Sequence, residues 1–341
     1  ARASDLIEAA LSKELRELAE NPLLVTAMAI IHQREVGLPK ERVRLYDEAV
    51  TVLLHLWQRH RGLRVSESLG AVLADVHKMR TIMERIAHDA HLHGPNEEGA
   101  LGFGSLIEVL AQPDYLGDVA LADEFLHYVD EKAGILVGQG GSERAGHPVT
   151  YTFPHRTFRE YLAGCYLVSG RPSARKMRPY AEVSDAWYLA AQLAGEDLLY
   201  NRRSAPALLD LMYDLCTSSA PVTERDWRTA LWSGQMAKLM GLADIVKDEQ
   251  PDGGRTFLER LTQRIVAIVR EGRLTAPERA DAGCILSVLG DPRPGVGAVD
   301  GVPDIVWCQV PAGEFWMGDN HGASNEHPAH RLNLPNFRMA K

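Results

Sequence analysis

VTYTFPHRTFREYLAG (149–164) changes its period halfway, and the rest of the chain can be read outward from that change. Tyr151, Thr152 and Phe153 alternate as a strand does, whereas Phe158, Tyr161 and Leu162 return at helical spacing between Thr157 and Tyr166. A strand therefore runs into a helix through Pro154-His155. Upstream, AGILVGQG (133–140) reads as an earlier strand, and the Gly-rich stretch 138–147 joins the two. Helical patterns near 71–93, 103–111 and 121–133 come before them. Helix, helix, helix, strand, wing, strand is the order of a winged helix, which we assign to 63–168.

The segment before it is helical. Leu6, Ala10, Leu11, Leu15 and Leu18 form an apolar stripe over 5–19. Asn21-Pro22 then opens a second helix, PLLVTAMAIIHQ, because proline suits the first helical position; this helix should end before Gly37-Leu38-Pro39. Leu45, Ala49, Leu53, Leu56 and Trp57 predict a third helix over 41–60. Residues 1–62 thus read as a helical domain.

Past the winged helix, 169–289 reads as a helical connector with no site of its own, broken at Asn201, at Ser218 to Pro221 and at Pro251 to Gly254. Thr223 with Asp226, and Thr275 with Glu278 and Pro277, have the spacing of capping boxes. Gly290 should stop the last helix, and 290–303, carrying Pro292 and Pro294, reads as a linker. Residues 304–310 alternate, Pro311-Ala312-Gly313 reads as a turn, and strands at Glu314 to Met317 and from His330 follow, so 304–341 reads as the opening sheet of a further domain. The expected fold is mainly α: helical domain, winged helix, helical connector, then the first strands of an α+β domain. Both ends read as cut inside domains.

Composition limits the function. Charged residues are 24% and apolar residues 45%, as in ordinary globular chains. A net charge of −9 opposes binding to nucleic acid or anionic lipid, since counterion release needs a positive surface. Cys165, Cys216, Cys284 and Cys308 show no CxxC spacing and read as small core residues in a reducing, cytoplasmic setting. No run of about 18 apolar residues predicts a membrane span.

NPLLVTAMAIIHQREVGLPKERVRLYDEAVTVLLHLW (21–57) and YTFPHRTFREYLAG (151–164) resemble the helical segment and the end of the winged helix of NACHT-type (STAND) signalling NTPases. The resemblance implies a nucleotide-gated signal-transduction switch, of the kind used in bacterial defence. It also implies that Pro22 packs near the adenine, and that His155 contacts the β-phosphate of bound ADP and so holds the closed state. ADP and ATP, with Mg²⁺, belong to the full-length protein. No GxxxxGK[ST] loop occurs here, so this chain alone should neither hold nucleotide tightly nor hydrolyse it, and no catalytic residue is assigned. Self-association on activation is the implied partner behaviour.

VPAGEFWMGDN (310–320) and NEHPAHRLNLPNF (325–337) resemble the entry strands of the formylglycine-generating, sulfatase-modifying factor family, whose fold is related to C-type lectins. This implies that 304–341 starts a lectin-like domain recognising an unknown ligand. The alternative is an oxidase of the sulfatase-modifying type carrying a helical arm. That family's reactive cysteines are absent, and Cys308 is not given their role. A transcription factor is the third reading; Asp123, Glu124, Asp130 and Glu131 on the would-be recognition helix, against Lys132 alone, oppose it.

Other polar groups have ordinary explanations. Arg156, Arg159 and Glu160 should form a solvated helix face. His88, His91 and His93 precede Gly94, which reads as a C-cap, where the helix dipole favours histidine; no metal site is assigned to them or to His327 and His330. Asp319, Asn320, Asn325 and Glu326 read as turn residues.

Overall fold

The computed structural model describes residues 22–34, 38–58, 65–94, 99–131, 136–141, 148–170, 173–182 and 185–340, with Ile7 and Ala19 besides. The expected helix over 5–19 lies almost wholly outside these residues. Over the described residues the chain is mainly helical, and none of the helices is long and apolar enough to cross a membrane.

Helix α1 (Pro22–Arg34) begins at the expected proline and packs on α2 (Arg42–Gln58). The single helix expected near 71–93 is two, α3 (Glu67–Ala74) and α4 (Val76–His93). Asp75 separates them: its backbone is extended (φ −90°, ψ 95°) and its carboxylate accepts from the Lys78 amide at 3.0 Å, so it caps α4. Helices α5 (Phe103–Leu110) and α6 (Val119–Glu131) follow. A short strand that periodicity did not reveal, β1 (Leu101–Gly102), joins β2 (Val137–Gly141) and β3 (Pro148–Thr152) in an antiparallel sheet of order β1-β3-β2. Two residues are too few for an alternation to register.

Helix α7 (Arg156–Leu167) is the keel of the molecule, because its two sides enter two different cores. Phe158, Tyr161, Leu162 and Cys165 join a first core built from α1 to β3, whose largest members include Met28, Leu45, Phe125 and Tyr151. Ala163 and Leu167 join a second core with Trp187, Trp232, Phe257 and Ile285. Gly164 lets the backbones approach closely: a Cβ there would lie 2.5 Å from the Ala190 carbonyl oxygen.

The second core is formed by α8 (Ser173–Met177), α9 (Tyr188–Glu196), α10 (Ala205–Leu215), α11 (Glu224–Met240), α12 (Leu242–Val246), α13 (Gly254–Arg270) and α14 (Ala276–Leu289). Both capping boxes form as spaced, at Thr223 with Asp226 and at Thr275 with Glu278. The break expected at Asn201 takes a particular form: α9 widens into a π turn (Asp197–Asn201) before the chain reverses. Gly290, at φ +89°, ends α14.

The expected linker 290–303 holds a small hairpin, β4 (Ala298–Val299) with β5 (Val302–Pro303), and an Asp291–Arg293 clasp at 2.6 Å. Beyond it, β6 (Trp307–Val310) pairs with β9 (Phe337–Ala340), and β7 (Gly313–Met317) pairs with β8 (His330–Leu334). Pro311-Ala312-Gly313 is therefore not a reversing turn. Between the Val310–Phe337 and Gly313–Leu334 pairs each strand skips two residues, so the register is kept and the four strands are one interrupted ribbon. Pro311 and Pro335 sit in the gap, where neither can donate to a ladder. None of the described residues from 300 to 340 is buried.

Candidate functional site

The strand-to-helix corner forms as its sequence requires. Phe153 is buried beside the core, Pro154 is exposed, and His155 occupies the N-cap of α7 with extended backbone (φ −129°, ψ 115°). Its carbonyl accepts from the amides of Phe158 and Arg159 at 3.2 and 3.3 Å, while its side chain makes no capping hydrogen bond. The ring lies 6.3 Å from that of Phe158, tilted by 52°. Burial pushes the imidazole below its usual pKa, because desolvation disfavours the charged form. No acidic residue stands in the first turn of α7. The corner is thus the positive end of a helix with a histidine at its cap.

Pro22 opens α1, but its side chain lies outside the described residues. The flanking charges depart from the solvated face expected of them. Arg159 and Glu160 are each 1% exposed, and only Arg156 faces water, pairing with Glu160 at 2.9 Å. Burial and the neighbouring Arg156 charge pull the Arg159 guanidinium down. The reason is the double role of α7: with a core on either side, it has little surface left for solvent.

A polar network joins the three helical segments, and sequence reading missed it. The Arg80 guanidinium pairs with Asp47 of α2, with Glu84 at 3.0 Å, and donates to the Tyr161 hydroxyl at 2.8 Å. That hydroxyl also lies 3.1 Å from Asp47 and 3.4 Å from Asp197. Asp197 is held from its other side by Arg202 at 2.6 Å and by the Asn201 amide at 2.9 Å. One residue earlier, Glu196 receives a fork of hydrogen bonds from Arg42 at 2.6 to 3.2 Å. Glu196, Asp197, Asn201 and Arg202 bring residues of 169–289 into this network. Burial pushes the Glu84 carboxyl up, and pushes the Cys165 thiol well up beside it, so Cys165 is an inert core thiol. Cys216 is buried as expected, whereas Cys284 and Cys308 are exposed, contrary to the core role read for all four. Nothing in the sequence pairs Asp47 with Arg80 or Tyr161 with Asp197; only the fold does.

The three clustered histidines go separate ways. His88 bridges Asp89 (2.8 Å) and the Tyr180 hydroxyl (2.6 Å); His91 bonds the Ala186 carbonyl at 3.1 Å; His93 bonds the Asp89 carbonyl at 2.7 Å. In the ribbon, His327 and His330 bond the carbonyls of Gly322 and Pro328. Asp319, Asn320 and Glu326 accept from loop amides, which is turn chemistry. Among the described residues no group of three His, Cys, Asp or Glu side chains is placed to hold a metal ion. Scans against protein-family models, curated proteins and solved structures found no significant match.

Proposed function

We propose that the chain is the regulatory part of a nucleotide-gated signalling switch of NACHT type, in which ADP bound to an N-terminal core holds a closed state through His155. The observation that carries this reading is the corner itself: a histidine at the N-cap of α7, with no acid in the first turn, suits a phosphate oxygen. The motifs at 21–57 and 151–164 support the family, and the element order α4-β1-α5-α6-β2-β3 with sheet order β1-β3-β2 supports a winged helix over 63–168. On this reading 1–62 is the helical domain, 169–289 the connector and 304–341 the start of a lectin-like ligand-recognition domain, joined by 290–303. ATP-bound protomers would self-associate, and Mg²⁺ would enter with ATP in the longer protein. Pro22 would lie near the adenine.

A transcription-factor reading is disfavoured by Glu124, which does not wait for a partner: it accepts from the Ser66 amide at 2.7 Å and the Ser66 hydroxyl at 2.6 Å. The acid on the would-be recognition helix thus anchors α3 and opposes a phosphate backbone.

The test uses a longer protein that includes the nucleotide-binding core. In His155→Ala, loss of a hydrogen bond to a charged oxygen, about 1.5–3 kcal/mol, should weaken ADP binding roughly 10- to 150-fold and raise basal self-association. Calorimetry and the thermal midpoint are measured on the same variant. A lowered midpoint with unaltered ADP affinity means that His155 only braces the corner.

A further inference from the structure

We infer that the start of the π turn is a conformational catch, in which Glu196 holds α2 against the connector through Arg42, and that α2 is the element this catch releases. The polar holds between connector and α2 converge on one helical turn. Arg42 forks onto Glu196, the Asn201 amide reaches the Val43 carbonyl at 3.4 Å, and Asp197 reaches Asp47 only through the Tyr161 hydroxyl. The π turn carries Asp197 and Asn201, whose side chains meet at 2.9 Å, while Glu196, one residue before it, faces α2.

The two sides of the contact differ in exposure. On α2, the side chains of Arg42 and Asp47 are 31% and 34% exposed, whereas Glu196 and Asp197 are 8% and 3% exposed. Arg42 and Asp47 can complete their solvation in water if α2 withdraws. Most of the buried side keeps its partners: Arg80 retains Glu84, and Asp197 retains Arg202 and Asn201. Glu196 is the exception, because its ion-pair partner among the described residues is Arg42. Withdrawal of α2 takes that partner from Glu196, so the Arg42–Glu196 pair is the polar contact that separation must break. The remaining bridge is lighter: Leu193 enters the first core, and Arg44 lies over the Tyr200 ring at 6.0 Å. Taken with the nucleotide switch proposed above, this is the contact that opening must break.

Charge exchange tests the catch on this chain without nucleotide. Hydrogen exchange of the α2 amides is followed in Arg42→Glu, in Glu196→Arg and in the double variant. Each single change should speed exchange in 42–54 by about tenfold or more, while 205–289 keeps its rates and the double variant returns to within about twofold of the parent. Unchanged exchange in the single variants overturns the catch. So does failure of the double variant to recover, or an equal rise across the whole body, which would mean general unfolding. ADP does not enter the measurement, so a failed His155 test leaves this result standing, and a failed catch leaves the nucleotide reading standing.

Discussion

Phe257 and Phe315 are the same residue on regular secondary structure, yet the first is fully buried in the helical body and the second is 40% exposed on the C-terminal ribbon. The ribbon's pairing is complete along β7 and β8, and its faces are sorted. Phe315 stands opposite Leu332, while Trp316 stands opposite Arg331, which lies over its ring at 4.9 Å and reaches Glu314 at 3.4 Å. Alternation and pairing are thus satisfied without any burial. The described helices of the body pack their apolar residues into two cores, and α7 has one on each side. Backbone hydrogen bonds form the element; an apposed layer forms the core.

The sharpest way to break this comparison is to truncate both phenylalanines. Phe257→Ala should cost about 3–5 kcal/mol in urea unfolding, since it removes transfer free energy and leaves a cavity. Phe315→Ala should stay within about 0.5 kcal/mol, as exposed substitutions do. Comparable losses at the two positions would show that the ribbon face is covered in solution.

Acid sharpens the contrast next, because the body buries ionisable groups and the ribbon buries none. His91 is fully buried, packed edge-on against Trp187 at 4.4 Å, and its Nδ1 has no hydrogen-bond partner among the described residues. Burial, followed by the nearby Arg159 charge, lowers its pKa from 6.5 to about 4. The folded value is depressed, so the stabilisation is complete above pH 6.5 and falls away as the pH drops towards 4. The unfolded chain takes up a proton in that window and the folded chain does not, for a loss of up to about 3 kcal/mol. Glu84, whose carboxyl is pushed up, acts in the opposite sense and blunts the fall. The thermal midpoint measured from pH 7 to 4.5 should drop, and His91→Gln should flatten that drop; an unchanged slope in the variant would assign it elsewhere.

The smallest effect probes a local device inside the body. Thr275 accepts from the Glu278 amide while the Glu278 carboxylate accepts from the Thr275 amide at 2.9 Å, and Glu278 also pairs with the buried Arg228 at 2.5 Å. Thr275→Ala should cost about 1 kcal/mol, read as a shift in the urea midpoint. A much larger loss would mean that the cap also positions Glu278 for Arg228.

What could be read from the residues in order was what neighbours in the chain decide. The proline opening α1, the capping boxes at Thr223 and Thr275, the glycine ending α14 and the change of period at Pro154-His155 all act within about one helical turn, and each appears where its spacing puts it. Errors arose where a local sign had two outcomes. Asp75 looked like one more residue of a helix and instead ends one helix and caps the next; Pro311 looked like a turn and instead interrupts a ribbon whose partner strand carries Pro335 in the same gap. His155 was legible as the corner residue, but the lowering of its pKa was not, since that follows from desolvation by surrounding atoms. The tertiary structure alone decided that Arg159 and Glu160 are buried, that Glu196 faces Arg42 across 154 positions, and that Tyr161 meets both Asp47 and Asp197. Charge carries no periodicity that tells an ion pair from a solvated face. Which carboxylate finds which guanidinium depends on how helices cross, and their crossing is set by the whole core.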